Sequence, residues 1–323
     1  MASVPLRAKI PPLTNYTVLI AFVALIVFFS ISAEGFLSLQ NFINLTVNKV
    51  VLLAIIALGM TIVIASGGID LSVGVSVDMS SMVFIMLLAA GFSGVLGIAG
   101  GLSAALCVGL LNAALINRLN INPFLATLGI LFIGQSTQQL ASRGGQPIYL
   151  TRAEFAPTFE AISRTDLLGI PTPVVVLMVC AFAVYFALHH GAFGRYVRAL
   201  GAQPGVAWYS GVRVPVQLSI VYVASAFLSG IAGILLSATV KSYVPLSGNA
   251  YLLDAIGATF IGTALSTDRR PSVLGTLLGV FLLAVTRNGL LLIGWNFFWQ
   301  QVGIGVLVFL VLALSFGLNR RRE

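Results

Sequence analysis

Ten stretches of apolar residues, separated by short polar segments, constrain the fold of this chain more than any other feature of its sequence. A helix needs roughly 20 apolar residues to cross a bilayer, because its backbone N–H and C=O groups must pair within the segment. Polar and apolar residues do not alternate with the period of two that a membrane β-strand requires. We therefore predict an all-α integral membrane protein with about ten transmembrane helices, at residues 16–31, 50–66, 71–90, 94–116, 123–141, 172–189, 215–240, 252–265, 273–293 and 297–318.

The composition supports a bilayer environment for most of the chain. Only 8% of the 323 residues are charged, whereas soluble domains carry about 25%. With 59% hydrophobic residues, the chain has more apolar surface than a soluble core could hide. We therefore expect a single polytopic membrane domain over residues 1–323.

The positions of Lys and Arg predict the orientation of the spans, because positively charged loops stay on the cytoplasmic side. If the N-terminus is inside, most of the 17 Lys and Arg residues fall in cytoplasmic segments, including residues 191–215 and the arginines at 320–322. Both termini are then cytoplasmic, and the long loop 143–171 is external. The net charge of +8 is thus a topology signal, and it gives no reason to propose a nucleic acid partner.

The sequence offers no set of residues suited to catalysis. It contains no phosphate loop of the G-x-x-x-x-G-K-[ST] type, no H-E-x-x-H, no G-x-S-x-G, and no Cys or His cluster at metal-ligand spacing. We therefore expect no catalytic residue, no metal and no bound cofactor, and we disfavour an embedded enzyme. Solute transport remains, either beside a partner ATPase or as an ion-coupled secondary transporter.

Segment 66–74 reads Ser-Gly-Gly-Ile-Asp-Leu-Ser-Val-Gly and joins two apolar stretches that are each short for a membrane span. Its two adjacent glycines weaken helical structure, and its acid, Asp70, is costly at membrane depth unless it faces a polar cavity or a neighbouring helix. We predict a broken-helix element over Ser66 to Gly74. Asp70 can cap the next helix by accepting from the N–H groups of Ser72 and Val73, or it can contact the transported solute.

Other polar residues inside the apolar stretches suggest a polar interior. Each alone is typical of an interhelical hydrogen bond, and together they exceed what a passive scaffold needs. The set is Asp78, Asn112, Gln135, Gln138, Gln139, Asp254, Arg287 and Asn288. Small-residue spacings at Gly97 and Gly101, and at Gly230 and Gly233, predict helices in close contact.

Residues 191–215 form the longest predicted cytoplasmic loop. The loop is basic, and a short helical stretch is broken at Pro204 and Gly205 before two aromatic residues, Trp208 and Tyr209. Aromatic residues beside arginine are common where proteins bind one another. The same composition suits a helix lying on the membrane surface, and the residues alone leave both interpretations open.

Several motifs resemble those of one protein family. Segment 66–74, preceded by Gly59-Met60-Thr61, is the most distinctive of them. Shorter matches are PFLATLG at 123–129, GGQP at 144–147, FGR at 193–195, LDAI at 253–256, GTLLG at 275–279 and NGL at 288–290. On these residues the chain resembles, nearly end to end, the permease subunits of ribose-type and related simple-sugar ABC importers, which are kin to the branched-chain amino acid permeases.

The resemblance implies a permease in the bacterial inner membrane that forms the translocation pathway for a small polar solute, with a monosaccharide the first expectation. It implies as partners a second permease, two cytoplasmic ATPase subunits that bind ATP and Mg²⁺, and a periplasmic binding protein facing residues 143–171. The expected pathway residues are Ser66, Gly67, Gly68, Asp70, Asn112, Asp254 and Asn288. The expected ATPase contacts in the coupling loop 191–215 are Arg195, Gly201, Gln203, Ala207, Trp208, Tyr209 and Gly211.

Two positions depart from the pattern usual in this family. Trp208 stands where relatives usually carry Arg, and Leu252 stands where they commonly carry Glu. These changes leave two possibilities for the second permease. It is either an identical copy, as in the commonest two-fold oligomers, or a paralogue that retains the usual residues.

Overall fold

Helices make up most of the part of the chain that the structure describes. The computed structural model covers residues 17–150, 155–167, 169–265 and 270–317. Its helices are α1 Thr17–Ser32, α2 Leu39–Leu45, α3 Val51–Ala65, α4 Val73–Ala89, α5 Gly94–Arg118, α6 Pro123–Ala141, α7 Ala156–Ser163, α8 Thr172–Tyr185, α9 Ala192–Ala202, α10 Pro204–Tyr209, α11 Val214–Val240, α12 Asn249–Leu265, α13 Val273–Leu292 and α14 Phe297–Gly317.

Two π-helical turns and four very short strands complete these elements. The π-helical turn Thr46–Val50 joins α2 to α3, and a second one, Phe186–His190, extends α8. The strands are β1 Ile148–Tyr149, β2 Asp166–Leu167, β3 Ile170–Pro171 and β4 Ser242–Tyr243. β1 pairs antiparallel with β4, in the register Ile148 to Tyr243, and β2 pairs antiparallel with β3. The strands lie in connections between helices, so the predicted all-α class describes the membrane domain.

Several helices have the length and composition of membrane spans. Among the described residues, five stretches qualify by both measures: Leu39–Ala65, Gly94–Arg118, Thr172–His190, Val214–Val240 and Val273–Leu292. Three shorter apolar helices accompany them, at Leu19–Ser32, Val73–Ala89 and Phe297–Val311. The protein is therefore a multi-pass membrane protein whose membrane domain is helical.

The second predicted span is longer than the sequence indicated. The structure has one continuous helical stretch, Leu39–Ala65, where the prediction began at residue 50. Polar residues such as Asn41, Asn44 and Lys49 lower the hydropathy of its first half. A helix pairs its own backbone groups whatever its side chains are, so these polar side chains need only polar partners of their own. In the π-helical turn the backbone hydrogen bonds span five residues instead of four, and Lys49 lies in this turn.

The core is centred on α3 and on a tight group formed by α4, α5 and α11. Nearly every residue of α3 is buried, and the helix packs against α8, α11, α12 and α13. Glycines bring the other three helices together, as the small-residue spacings predicted. A Cβ on Gly101 would lie 2.8 Å from the carbonyl of Ser80, and one on Gly230 would lie 2.7 Å from the Cβ of Ala105. A Cβ on Gly233 would overlap the carbonyl of Val77.

Candidate functional site

The turn between α3 and α4 is formed at a pair of glycines. α3 ends at Ala65, and the N–H of Gly68 donates to the carbonyl of Val63 at 3.1 Å. Gly67 has a φ of +86°, a backbone conformation that residues with a Cβ rarely adopt. The chain then runs without helical structure until α4 begins at Val73. We call residues 66–72 the glycine turn.

The glycine turn packs directly on α9, within residues 191–215. A Cβ on Gly67 would lie 3.3 Å from the Cα of Gly201, and a Cβ on Gly201 would overlap the carbonyl of Ala65. The two backbones touch because neither glycine has a side chain between them. Ser66 is buried at the same place, and its hydroxyl donates to the carbonyl of Val63 at 2.7 Å.

Asp70 is only 1% exposed, and hydrogen bonds reach both of its carboxylate oxygens. Its Oδ1 accepts from the N–H and the hydroxyl of Ser72 at 2.8 and 2.7 Å. Its Oδ2 accepts from the hydroxyl of Ser225, in α11, at 3.1 Å. The amide of Asn112, in α5, donates to the Ser72 hydroxyl at 2.6 Å. These four residues, the Asp70 network, join the glycine turn to α5 and α11.

The capping role predicted for Asp70 is found in part. The N–H of Ser72 donates to the carboxylate as expected, but within the described residues the predicted bond from Val73 is not among those that Asp70 accepts. The reason is that Ser72 occupies the N-cap position of α4, so Asp70 lies two residues before it. Its carboxylate therefore fixes the approach to the helix. Contact between Asp70 and a solute stays a prediction.

Two buried polar atoms beside the Asp70 network have no hydrogen-bond partner among the described residues. They are the Oδ1 of Asn112 and the hydroxyl of Tyr222. A Cβ on Gly68 would lie 2.5 Å from that hydroxyl, so Tyr222 reaches the backbone of the glycine turn. Buried polar groups normally have a partner in protein, water or a ligand. The network therefore has capacity for further hydrogen bonds.

The other two predicted pathway residues lie on α12 and α13. The Oδ2 of Asp254 is 2.8 Å from the Nη2 of Arg287, and the amide of Asn288 donates to the Oδ1 of Asn41 at 3.0 Å. Within the described part of the chain, no hydrogen bond joins these residues to the Asp70 network. The structure thus places the predicted pathway residues in two separate groups.

Asp254 and Arg287 belong to the wall of a cavity of about 190 Å³. Asn48 and Lys49, from the π-helical turn, and Tyr251, from α12, line the same cavity. We call it the Lys49 cavity. Local π-helical turns are frequent at functional sites because they reposition side chains. Arg287 was expected only to form an interhelical hydrogen bond, and Lys49 was not predicted to belong to a site.

Asp78 and Gln138 form a third polar group, for which only interhelical hydrogen bonds were predicted. Asp78 in α4 is fully buried, and its Oδ1 accepts from the hydroxyl of Ser247 at 2.9 Å and from the N–H of Gly248 at 2.8 Å. Gln138 in α6 accepts from the N–H of Leu246 at 3.0 Å. Both side chains thus hold the backbone that leads into α12. The available signal was a second acid within an apolar stretch, eight residues after Asp70.

Residues 191–215 form two short helices, α9 and α10, that leave aromatic side chains in the open. Trp208 is 60% exposed and Tyr209 is 91% exposed, whereas Ala207, which directly precedes them, is buried. Gly211 ends α10 with a φ of +83°. The other expected coupling residues are exposed: Arg195, Gly201, Gln203 and Gly211. The aromatic side chains are therefore available for a contact outside this chain.

Comparison with known proteins decides the family. The family described as "Branched-chain amino acid transport system / permease component" matches residues 42–312, which is most of the chain. This chain belongs to that family. The permease is 32% identical to the ribose import permease protein RbsC of Bacillus subtilis (strain 168) over 291 residues, 90% of this chain and 89% of that protein.

Further relatives of the permease have the same extent. It is 30% identical to RbsC of Escherichia coli (strain K12) over 297 residues, 92% of each chain. It is also 31% identical to the autoinducer 2 import system permease protein LsrD of Yersinia enterocolitica over 282 residues, 87% of this chain and 85% of that protein. These relatives confirm the resemblance to ribose-type permeases and the prediction of a permease subunit of an ABC importer rather than an enzyme.

Proposed function

We propose that the permease forms the translocation pathway for a small polar solute, with a monosaccharide as the leading candidate, in an ABC importer of the bacterial inner membrane. In this proposal two permeases, identical or paralogous, form the pathway. Two cytoplasmic ATPase subunits bind ATP and Mg²⁺, and a periplasmic binding protein delivers the solute. The relatives named for ribose and autoinducer 2 import support a small polar solute.

The contact between the glycine turn and α9 is the observation that carries the proposal. At Gly67 and Gly201 the backbone of the glycine turn, which also carries the buried Asp70, touches the segment whose aromatic side chains are exposed. A displacement of α9 by a bound ATPase subunit would act directly on the glycine turn, because no side chain lies between the two backbones. The turn would then serve as the broken-helix element beside the solute pathway.

Contacts between helix ends support ten spans with both termini cytoplasmic. In that order, the fifth and seventh spans, α6 and α11, end on the outside, and β1 and β4, which follow them, pair with each other. The second and sixth spans end inside, where the glycine turn meets α9. The fourth span also ends inside, and Asn117 near its end donates to the carbonyl of Pro215 at 2.9 Å.

Cysteine labelling tests this orientation. In a background with Cys107→Ser and Cys180→Ser, Ser210→Cys and Arg164→Cys place single thiols on two exposed segments. An impermeant maleimide added to intact spheroplasts should label Arg164→Cys and spare Ser210→Cys. Inverted vesicles should give the opposite result. Labelling of Ser210→Cys from outside would overturn the topology.

Co-purification tests the assembly. The permease is expressed with the ATPase and the binding protein that the proposal assigns to it, and native mass spectrometry measures the complex. We expect two permease subunits and two ATPase subunits in the complex. One permease mass present in two copies indicates an identical pair, and two different permease masses indicate a paralogous one. A permease that never retains an ATPase in the membrane extract would contradict the proposal.

A further inference from the structure

The Lys49 cavity carries an excess of positive charge. Two cations, Lys49 and Arg287, and one carboxylate, Asp254, line it. Asp254 is already engaged by Arg287 at 2.8 Å. Within the residues that the structure describes, no carboxylate lies within ion-pair distance of Lys49. The side chains that line the cavity therefore carry a formal excess of one positive charge over negative charge.

An excess cation in this position needs a compensating anion. The cavity lies between the helical stretch 39–65 and α12 and α13, in the membrane domain, where an uncompensated charge is costly. The wall also includes the apolar side chains of Leu53 and Leu283 and the polar side chain of Tyr251. A partly apolar wall with a few converging polar groups is the usual form of a small-molecule site.

The geometry of the cations suits an oxyanion. Arg287 is held in place by its bond to Asp254, and a guanidinium has five N–H donors, so donors remain for a second acceptor. Lys49 lines the same cavity and adds an ammonium with three donors. Hydrogen bonds from such cations to a carboxylate or phosphate are stronger than those between neutral groups.

We propose that the Lys49 cavity is a solute subsite that binds the negatively charged group, a carboxylate or a phosphate, of a small polar solute. The inference rests on the proposed function and narrows its substrate class to anionic solutes such as sugar acids and sugar phosphates. Asn48 and Tyr251 are placed to contact the uncharged part of the same molecule. A lipid phosphate has the same anionic chemistry, and the experiment separates the two sources.

Binding to the full-length permease tests the subsite. The protein is placed in nanodiscs of phosphatidylcholine, and calorimetry measures binding of two matched pairs: glucuronate against glucose, and ribose 5-phosphate against ribose. We expect the anionic member of at least one pair to bind about 10-fold or more tightly than its neutral counterpart. Lys49→Gln should abolish that preference, and Lys49→Arg should preserve it.

Two further variants sharpen the test. Arg164→Gln removes the same charge from an exposed external position and should leave binding unchanged. Asp254→Asn removes the negative charge of the wall and should strengthen binding of the anionic probe, an effect opposite in sign to that of Lys49→Gln. Equal affinities within both pairs, no binding of either anion, or an unchanged preference in Lys49→Gln would overturn the proposal.

The lipid alternative has its own readout. Nanodiscs that contain phosphatidylglycerol are analysed by native mass spectrometry in wild type and Lys49→Gln. Lipid retained only by the wild type, with neither anionic probe bound, would assign the cavity to a headgroup and overturn the solute subsite. Co-purification with the ATPase is measured on the same variants, so a failed subsite with intact assembly leaves the proposed function standing.

Discussion

Two buried carboxylates in this permease are stabilised in different ways. Asp70 is surrounded by the N–H and hydroxyl of Ser72 and the hydroxyl of Ser225, and no cation pairs with it among the described residues. Asp254 pairs with Arg287 on the wall of an open cavity. The first acid fixes a backbone, and the second neutralises one of the two cations that line the Lys49 cavity. The same residue type thus has a structural task in one region and an electrostatic task in the other.

The difference also extends to the surroundings of each acid. The glycine turn is in backbone contact with α9, so its shape depends on neighbours having no side chain. The Lys49 cavity keeps about 190 Å³ of space between its walls. Substitutions should therefore affect folding and coupling at the glycine turn, and ligand binding at the Lys49 cavity.

The largest effect is expected at the contact between the glycine turn and α9. In Gly201→Ala the added methyl group overlaps the carbonyl of Ala65, so α9 must move away from the turn. We expect a loss of about 1–3 kcal/mol in the free energy of unfolding, measured by denaturant titration in detergent. ATP hydrolysis stimulated by the binding protein should also fall.

The matched control lies in the same segment. Gly205 is in α10 and has no heavy atom within 4 Å of the place where a Cβ would be. Gly205→Ala should therefore leave unfolding and coupled hydrolysis near the wild-type values. Equal behaviour of the two alanine variants would remove the structural basis for coupling through Gly201.

A smaller effect is expected when each carboxylate is removed. Asp70→Ala leaves the N–H of Ser72 and the hydroxyl of Ser225 without their acceptor, which should cost roughly 0.5–2 kcal/mol in the free energy of unfolding. Asp254→Ala should cost less, because the Arg287 side chain is 27% exposed and can turn its guanidinium to solvent, whereas Ser72 and Ser225 beside Asp70 are fully buried. A larger loss in Asp254→Ala than in Asp70→Ala, measured by the same titration, would reverse the comparison.

The smallest effect on folding is expected at the exposed aromatic residues. Trp208→Ala should change the free energy of unfolding by no more than about 0.5 kcal/mol, since the side chain is 60% exposed. Binding of the Trp208→Ala permease to the ATPase should nevertheless weaken by about 2 kcal/mol if Trp208 is a hot spot of that interface. Surface plasmon resonance with the ATPase gives this value. Trp299→Ala, at an equally exposed tryptophan in α14, should bind the ATPase as tightly as the wild type.

Apolar runs made most of the helices predictable from the sequence. Residues 123–141 and 94–116 read as helices because every backbone group in a bilayer must pair within its own segment. The same criterion placed the start of the stretch Leu39–Ala65 eleven residues too late. In that first part the polar side chain of Asn41 forms a hydrogen bond with Asn288 on another helix. Hydropathy does not register such a partner.

The candidate sites were predictable to a smaller extent. An acid beside two glycines singled out Asp70, and the spacing indicated its bond with the N–H of Ser72. The bond from Ser225 could not be foreseen, because that residue is 155 positions further along the chain. The Lys49 cavity could not be foreseen for the same reason, since its wall comes from three helical segments that meet only in the folded protein.

We propose that ATP hydrolysis on a partner subunit drives solute through this permease. The most direct test is uptake into proteoliposomes that hold the permease and its ATPase, with the solute that the purified binding protein carries supplied outside on that protein. We expect accumulation when ATP is enclosed, loss of accumulation in Gly201→Ala, and no accumulation under an imposed proton or sodium gradient without nucleotide. Accumulation driven by an ion gradient in the absence of ATP would contradict the proposal.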